Sequence, residues 1–257
     1  MWPKLLEWHG FTLHTYGLFV GLGFLAGYGW FRRESARRGW PEPVPDGVFA
    51  ISLIAGLLGS RAAYALLFWE SFRTRPVEIL KIWTGGLVFY GGLAAAGLVC
   101  ASYLWRRYIP LAAAADAAAP SLAIGQAIGR LGCFSAGCCY GKVASVPWAV
   151  TFRHPESLAP LLLPLHPVQL YEAAGNLMLF AVLAARNGRR PIEGTTAALY
   201  LCLYGALRFA WEFLRADDRG GYRAGLSVGQ WMSLGAVGFG IVWFSSATRA
   251  GRGASRA

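Results

Sequence analysis

Residues 129–141 read Gly-Arg-Leu-Gly-Cys-Phe-Ser-Ala-Gly-Cys-Cys-Tyr-Gly, and the rest of the chain is organised around this segment. One arginine, four glycines and three of the five cysteines meet here, where an apolar stretch ends. A loop rich in proline and leucine follows, over residues 141–166. Within that loop, residues 147–152 alternate and are able to pair as a strand. The segment therefore marks the point where a predicted membrane helix meets a surface loop.

The composition of the whole chain is that of a membrane protein. Of its 257 residues, 56% are hydrophobic and only 14% are charged, which is too apolar for an ordinary soluble domain. The net charge of +11 does not indicate nucleic-acid binding, because lysine and arginine lie in short clusters between apolar runs. We expect a single transmembrane domain over residues 1–257 and no nucleic-acid partner.

Seven apolar stretches reach the length of about 17–25 residues that a membrane-spanning helix needs. The fourth is the weakest of them, because Asp116 and Pro120 interrupt it. The pattern predicts an all-α polytopic membrane protein of about seven transmembrane helices. The stretches cover residues 13–31, 47–69, 87–105, 111–129, 167–185, 195–214 and 227–247.

The basic residues of the loops predict the orientation of these helices. The linkers after the first, third and fifth stretches and the C-terminal tail carry twelve arginines, against ten basic residues in the longer loops opposite. Because cytoplasmic loops carry the positive excess, we expect a periplasmic N-terminus and a cytoplasmic C-terminus. The cysteine-rich segment and the loop 141–166 after the fourth stretch would then face the periplasm.

Several predicted spans contain ionisable residues, each of which costs roughly 2.5–3.5 kcal/mol on insertion and so needs a partner, a cavity or a function. Arg208 and Glu212 are four residues apart and share one helix face. From this pair alone, a structural salt bridge and an anion site are equally supported. Adding Arg130 favours a phospholipid headgroup, because guanidinium groups bind phosphate bidentately. The other ionisable residues at membrane depth are Arg61, Asp116 and Glu172.

Two span ends are rich in polar side chains. His14 and Tyr16 open the first stretch, where a lone His or Tyr is usually an interfacial anchor. The fifth opens with His166-Pro167-Val168-Gln169-Leu170-Tyr171-Glu172, in which four polar groups crowd into seven residues. Gln169 and Glu172 are three residues apart and reach the same side of a helix, which favours a site over an anchor.

Paired glycines surround Tyr90 at the start of the third stretch. They are Gly85-Gly86 before it and Gly91-Gly92 after it. Glycine permits close approach of two membrane helices, and it also exposes backbone to a lipid substrate. The sequence does not separate these two interpretations.

Nine segments, residues 13–17, 59–64, 85–92, 116–120, 129–141, 147–148, 166–173, 204–215 and 226–230, occur in an order and spacing typical of one family. Together they resemble the prolipoprotein diacylglyceryl transferases, bacterial enzymes of the cytoplasmic (inner) membrane that lipidate a cysteine of secreted precursors. The resemblance implies transfer of a diacylglyceryl group from phosphatidylglycerol to the cysteine thiol of a lipobox-containing precursor. Glycerol phosphate is released, and no cofactor or metal is implied.

The resemblance also implies roles for individual residues. Arg130 and Arg208 would neutralise charge on the departing phosphate, and Glu172 or His166 would be the base for the acceptor thiol. Tyr90 suits hydrogen bonding to the lipid better than proton abstraction, because the reference pKa of tyrosine is near 10. The remaining candidates for substrate binding are Tyr16, His14, Gly91, Gly92, Gly132, Gln169 and Glu212, together with Arg130 itself.

The chain departs from the family signature, Gly-Arg-x-Gly-Asn-Phe-x-Asn-x-Glu-x-x-Gly, at three positions of the segment 129–141. Cys133 and Ala136 replace the two asparagines, and Cys138 replaces the glutamate. The family also carries histidine where this chain has Tyr90.

The cysteines of the segment have several interpretations. Two interpretations are equally supported. One is a disulfide between Cys133 and either Cys138 or Cys139, and the other is simple packing of the cysteines between helices. A metal site or an enzyme-bound thiol intermediate ranks behind them, because zinc sites usually show paired Cys-x-x-Cys or histidine partners. Cys100 and Cys202 lie inside apolar stretches, which excludes a disulfide framework made of all five cysteines. Three other functions therefore remain beside the transferase: a paralogue with another acceptor, a non-catalytic protein that binds lipid or precursor, and a thiol-redox membrane protein.

Overall fold

The computed structural model describes residues 3–8, 11–82, 85–217 and 221–254, and helices dominate these residues. The described strands form two-stranded antiparallel sheets in the connections before and between the long helices. In chain order the elements are β1 (Lys4–Trp8), β2 (Phe11–His14), α1 (Thr15–Arg37), α2 (Pro43–Leu67), α3 (Trp69–Phe72), a short 3-10 helix (Pro76–Leu80), α4 (Phe89–Arg106), α5 (Leu111–Ala136), β3 (Val150–Thr151), β4 (Pro164–Leu165), α6 (Val168–Gly188), α7 (Thr195–Glu212), β5 (Tyr222–Arg223), β6 (Leu226–Ser227) and α8 (Val228–Ala254).

Each of the seven predicted stretches falls on one long helix, namely α1, α2, α4, α5, α6, α7 and α8. In the described part of the chain, α2, α5, α6 and α8 are long and apolar enough to cross a membrane. Helices suit this environment because their backbone polar groups are satisfied within one segment. The chain is therefore a multi-pass helical membrane protein, as its composition predicts.

The chain divides into two compact units, Arg32–Ala114 and the combination of Met1–Phe31 with Ala115–Ala257. In the first unit α2 and α4 pack against each other through glycines. A Cβ on Gly91 would lie 2.7 Å from the carbonyl oxygen of Gly59, and one on Gly92 would lie 2.6 Å from that of Gly56. Close helix approach, one of the two interpretations left open by the sequence, is thus what these glycines provide.

The Arg61 side chain lies buried in the same unit, with 4% exposure. Its Nε donates to the carbonyl oxygen of Ile79 at 2.8 Å, and Nη2 donates to that of Glu78 at 2.7 Å. Nη1 donates to the carbonyl oxygen of Gly85 at 2.6 Å. The partner that a charge at membrane depth needs is therefore the backbone of the connection between α2 and α4.

The second unit has its core where α5, α6 and α7 meet. Ala119 and Ala123 of α5 pack with Leu179 and Leu183 of α6 and with Tyr200 of α7. The small alanines allow α5 to pack closely against α6 and α7.

Helix α5 continues through Asp116 and Pro120, the two residues that interrupt the apolar pattern. Proline has no N–H for the carbonyl of the residue four positions earlier, and Asn187 Nδ2 instead donates to the Asp116 carbonyl oxygen at 2.7 Å. The Asp116 carboxylate accepts from the backbone N–H groups of Gly194 at 2.8 Å and Ala197 at 2.7 Å. Asp116 therefore caps the start of α7, which explains a buried acid in this span.

Short backbone pairings organise the loop after α5. β3 pairs with β4, so the predicted strand within residues 147–152 is reduced to Val150–Thr151. Gly141 N–H donates to the carbonyl oxygen of His166 at 3.2 Å, and Lys142 N–H donates to that of Leu214 at 2.8 Å. The end of the cysteine-rich segment is thus held to the start of α6 and to the turn after α7.

Candidate active site

A line of alternating charges runs through the second unit and connects most of the predicted site. It consists of Arg130, Glu172, Arg215, Glu212 and Arg208, and we call it the charge network. Its members come from the end of α5, the start of α6, the end of α7 and the turn that follows α7. A short linker joins α6 to α7. The backbone pairing of residues 141 and 142 with residues 166 and 214 holds the end of α5 to these two helix ends.

Glu172 joins Arg130 to Arg215 in the charge network, and its side chain is 1% exposed. Arg215 Nη1 donates to Glu172 Oε1 at 2.9 Å. Arg130 Nε lies 2.5 Å from Glu172 Oε2, an ion pair whose alignment does not make it a hydrogen bond. Both carboxylate oxygens are therefore occupied by guanidinium groups, which compensates for burial of the charge.

Arg215 holds three acids at once. Besides Glu172, it donates from Nε and Nη2 to the two carboxylate oxygens of Asp217 at 2.9 and 2.7 Å, and its Nε lies 3.9 Å from Glu212 Oε2. Burial lowers the pKa of Arg215, but the hydrogen bond to Asp217 and the charge of Glu172 outweigh burial and raise that pKa above its usual range. Arg215 is therefore a permanent cation at the middle of the network.

Arg208 and Glu212 make the helix-face pair that their spacing predicts. Arg208 Nη1 donates to Glu212 Oε2, and Ser227 Oγ donates to Glu212 Oε1 at 2.8 Å. A Cβ on Gly229 would lie 2.9 Å from Glu212 Oε1 and 3.2 Å from Arg208 Nη2, so α8 begins with a residue small enough to admit both side chains. The pair is thus enclosed between α7 and the start of α8.

The charges of the network and Asp217 balance, three guanidinium groups against three carboxylates. Arg130 and Arg208 nevertheless have N–H donors that no acid of the charge network contacts. Among the described residues, Arg130 contacts an acid only through Nε and Arg208 only through Nη1. Their side chains are 19% and 13% exposed, so an anion can approach from the open side. This arrangement is able to bind a phosphate without rearranging the buried pairs.

Gln169 secures the cysteine-rich segment. Its side chain is fully buried, and Nε2 donates to the carbonyl oxygen of Cys138 at 2.8 Å. Gln169 Oε1 has no hydrogen-bond partner among the described residues.

Two other predicted residues lie at the crossing of α5 and α1. A Cβ on Gly132 would be 3.1 Å from the carbonyl oxygen of Tyr16. Tyr16 is 45% exposed and interacts electrostatically with Arg130 and Cys133. The fold thus brings Gly132 and Tyr16 to the edge of the charge network.

His166 joins a small polar cluster instead of the charge network. Its Nδ1 lies 3.3 Å from the hydroxyl of Tyr171, which also accepts from Trp148 Nε1 at 2.6 Å. His14 pairs with Lys4 in the N-terminal hairpin, its side chain is exposed, and among the described residues it makes no hydrogen bond to the charge network.

Tyr90, Gly91 and Gly92 lie in the unit Arg32–Ala114. Tyr90 is 52% exposed and contacts Phe89 edge to face. Gly91 and Gly92 serve the packing of α4 against α2, as described above.

The sequence reasoning missed Arg215, Asp217 and Ser227. Arg215 ends the family segment 204–215 but was given no role in the site, although it follows Arg208 by seven residues and Glu212 by three. That spacing continues the charged face of α7 and could have indicated Arg215. No local signal pointed to Ser227, because its contact with Glu212 depends on the packing of two helices.

Three cysteines gather beside the charge network. The sulfur atoms of Cys133, Cys138 and Cys139 all lie within 4.8 Å of one another. Arg215 also hydrogen-bonds the side chain of Cys139. Hydrogen bonds from the thiols of Cys133 and Cys138, and then the charge of Arg215, lower the pKa of the Cys139 thiol. Cys139 is therefore the thiol of the cluster that forms a thiolate most readily.

The fold and the site define a multi-pass helical membrane protein with a buried arginine–carboxylate network and a thiol cluster at one end of its helices. The family model for prolipoprotein diacylglyceryl transferase matches residues 3–245, and the chain belongs to this family. The resemblance inferred from the sequence motifs is thereby confirmed.

Curated relatives carry the name phosphatidylglycerol–prolipoprotein diacylglyceryl transferase. The protein of Clostridium tetani is 33% identical over 245 residues, covering 95% of this chain and 97% of the relative. That of Methylobacillus flagellatus is 34% identical over 250 residues, covering 93% and 94%. That of Bordetella parapertussis is 34% identical over 254 residues, covering 95% of each chain.

Proposed function

We propose that this protein transfers a diacylglyceryl group from phosphatidylglycerol to the cysteine thiol of a prolipoprotein and releases glycerol phosphate. The observation that carries the proposal is Arg130, which is held at Nε by Glu172 and keeps its remaining donors for an anion. The names of the relatives support the same reaction. We take the acceptor to be the lipobox cysteine of a secreted precursor.

Arg130 and Arg208 serve as the phosphate-binding residues in this proposal. Charge that develops on the departing phosphate is stabilised by donors already in place, which is usually the largest single contribution to catalysis. Glu172 positions Arg130 and Arg215, since both of its oxygens are occupied by guanidinium groups. Its assignment as a base is therefore replaced by a positioning role, and His166 remains the histidine proposed to take a proton.

The other predicted residues line or support the substrate site in this proposal. Tyr16, Gly132 and Gln169 line the end of α5 next to Arg130, and Glu212 orients Arg208. Tyr90 and His14, whose side chains are exposed, are proposed to contact the lipid chains or the precursor. We assign Gly91 and Gly92 to the packing of α4 against α2 instead of to lipid binding.

We further propose a single transferase domain over residues 1–257 that crosses the bacterial inner membrane seven times. Seven long helices and the arginine-rich linkers support this topology, with the N-terminus in the periplasm and the C-terminus in the cytoplasm. The charge network then faces the periplasm, where exported precursors arrive. Placing reporter fusions at both termini and in the linkers tests this orientation.

The reaction is tested with the purified full-length protein, labelled phosphatidylglycerol and a lipobox peptide. We expect a lipid-modified peptide and an equal amount of glycerol phosphate. A peptide with serine in place of the acceptor cysteine is the matched control and should remain unmodified. Lipid binding without turnover would instead identify a non-catalytic lipid-binding protein.

A second test is rescue of a bacterium depleted of its own prolipoprotein transferase. Growth on the wild-type chain and none on Arg130→Ala would support the proposal. Normal lipid transfer by Arg130→Ala and Arg208→Ala in vitro would reject the phosphate role of both arginines.

A further inference from the structure

The three cysteines beside the charge network are arranged as a set of metal ligands. Cys133 lies in the last turn of α5, and Gly137 ends that helix with a φ of 79°. Cys139 follows with a φ of 61°, so the chain turns back toward the helix end. These left-handed residues bring Cys138 and Cys139 to Cys133, and all three sulfur atoms lie within 4.8 Å of one another.

The spacing of the sulfur atoms suits one metal ion. A zinc–thiolate bond of about 2.3 Å places the thiolates of a tetrahedral site about 3.8 Å apart. The three sulfur atoms, all within 4.8 Å of one another, are separated by at most about 1 Å more than this distance. The sequence spacing does not favour a metal site, because no Cys-x-x-Cys pair is present. The turn at Gly137 nevertheless brings the three cysteines together.

The groups around the cysteines are those that support a ligand set. Gln169 Nε2 donates to the carbonyl oxygen of Cys138 at 2.8 Å and fixes the turn. Arg215 hydrogen-bonds Cys139, and Arg130 interacts electrostatically with Cys133 and Cys139. Three thiolates and one Zn²⁺ leave one negative charge, and the guanidinium groups of Arg215 and Arg130 lie next to it.

We infer that Cys133, Cys138 and Cys139 bind Zn²⁺ and leave a fourth coordination position for the thiol of the acceptor cysteine. No fourth His, Cys, Asp or Glu joins the cluster within the part of the chain that the structure describes. Zinc sites with three protein ligands and an open position are typical of catalysis, whereas structural zinc sites are closed by a fourth protein ligand. The inference rests on the proposed diacylglyceryl transfer, and it names how the acceptor is activated.

The site would supply the thiolate that the reaction needs. A thiol that coordinates zinc loses its proton, and the bound sulfur remains a nucleophile. The sulfur forms a bond to the glycerol carbon while the bond from that carbon to the phosphate oxygen breaks. The electron pair leaves with glycerol phosphate, which takes up the proton. Nothing is oxidised or reduced.

The position of the cysteines favours this role over simple packing. Cys133 replaces the first asparagine of the family signature and Cys138 replaces its glutamate, three and eight residues after Arg130. A metal ligand set at this point places the acceptor thiol beside the proposed phosphate-binding arginine, so nucleophile and leaving group meet at one site.

The test begins with metal content under reducing conditions. The purified full-length protein is incubated with Zn²⁺, freed of unbound metal and analysed for zinc. We expect about one Zn²⁺ per chain. Loss of a residue that only supports a metal ligand weakens metal binding roughly 10–100-fold. We expect a larger loss of zinc affinity from each change of a ligand itself, namely Cys133→Ser, Cys138→Ser and Cys139→Ser. Cys100→Ser and Cys202→Ser, which alter cysteines of α4 and α7, are the matched controls and should keep the metal.

The open coordination position is tested with Co²⁺ in place of Zn²⁺. We expect a thiolate-to-cobalt absorption band, and visible bands that shift when a lipobox peptide is added. The same peptide with serine in place of cysteine should leave the bands unchanged. The inference would be overturned if the protein bound no metal, or if all three single variants kept the metal. It would also be overturned by a Cys133–Cys138 or Cys133–Cys139 disulfide that survives reduction, or by a spectrum that the thiol peptide does not change.

Failure of this inference and failure of the proposed function give different results. Undiminished lipid transfer by metal-free protein would reject the zinc site and leave the transferase intact. Zinc bound by the three cysteines and a thiol-dependent cobalt spectrum, without any lipid transfer, would support the site and reject the transferase.

Discussion

Arg215 Nη1 lies 2.9 Å from Glu172 Oε1, and the two side chains are only 3% and 1% exposed. This contact joins the turn after α7 to the start of α6, across 43 residues of sequence. It also connects the two halves of the charge network, because Glu172 contacts Arg130 and Arg215 contacts Glu212.

We expect Arg215→Ala to destabilise the protein strongly. Removing one partner of a buried ion pair leaves the other charge uncompensated, at a cost of about 3–5 kcal/mol. Thermal unfolding in detergent measures the loss. Arg73→Ala is the matched control, because Arg73 and Glu70 form an exposed pair at 3.5 Å worth about 0–1 kcal/mol.

A double-mutant cycle separates the pair from general damage. The loss of stability in the double variant Arg215→Ala, Glu172→Gln should be smaller than the sum of the losses in the two single variants. The reason is that glutamine carries no charge that would be left without a partner. Strict additivity would show that the contact does not couple the two residues.

Arg130→Ala should reduce the rate of diacylglyceryl transfer by about 10²–10³-fold, the loss typical of one preorganised donor at a developing charge. Arg130→Lys keeps the charge but not the planar fork, so we expect an intermediate rate. The turnover number at saturating lipid checks both variants. Arg153→Ala, at an exposed position of the loop after α5, is the control and should retain the wild-type rate; an equal loss in that variant would contradict a specific role for Arg130.

Asp116→Ala should lower stability by roughly 1–3 kcal/mol for the donors left unsatisfied at the start of α7. Two backbone N–H groups, those of Gly194 and Ala197, lose their acceptor in this variant. Asp116→Asn keeps one amide oxygen and should lose less. Thermal unfolding ranks the variants, and an unchanged midpoint for Asp116→Ala would contradict the capping role.

Arg61→Lys should loosen the connection between α2 and α4 while the charge is preserved. An ammonium group has three donors, whereas Arg61 donates to five backbone carbonyl groups from Glu78 to Gly86. Amide hydrogen exchange over residues 78–82 and 85–88 should become faster than in the wild type. Arg106→Ala, an exposed arginine at the end of α4, should leave these amides unchanged; comparable exchange in Arg61→Lys and wild type would count against the role.

Much of the fold was predictable because a membrane helix is encoded by a continuous local stretch of sequence. A run of about 20 apolar residues must become a helix in lipid, where every backbone polar group needs a partner within the segment. The same local logic gave the Arg208–Glu212 pair, because residues four apart share a helix face. The family motifs indicated Arg130 as well, since their order and spacing are contained in the chain itself.

Other parts of the site depended on contacts between distant segments. The sequence alone determined the long apolar helices, the family and the identity of the charged residues, since periodicity, composition and motif spacing are local properties. Only the tertiary structure decided that Arg215 and Glu172 pair and that Asp116 caps α7. Long-range pairing of this kind depends on which helix ends pack together, and no local pattern specifies that.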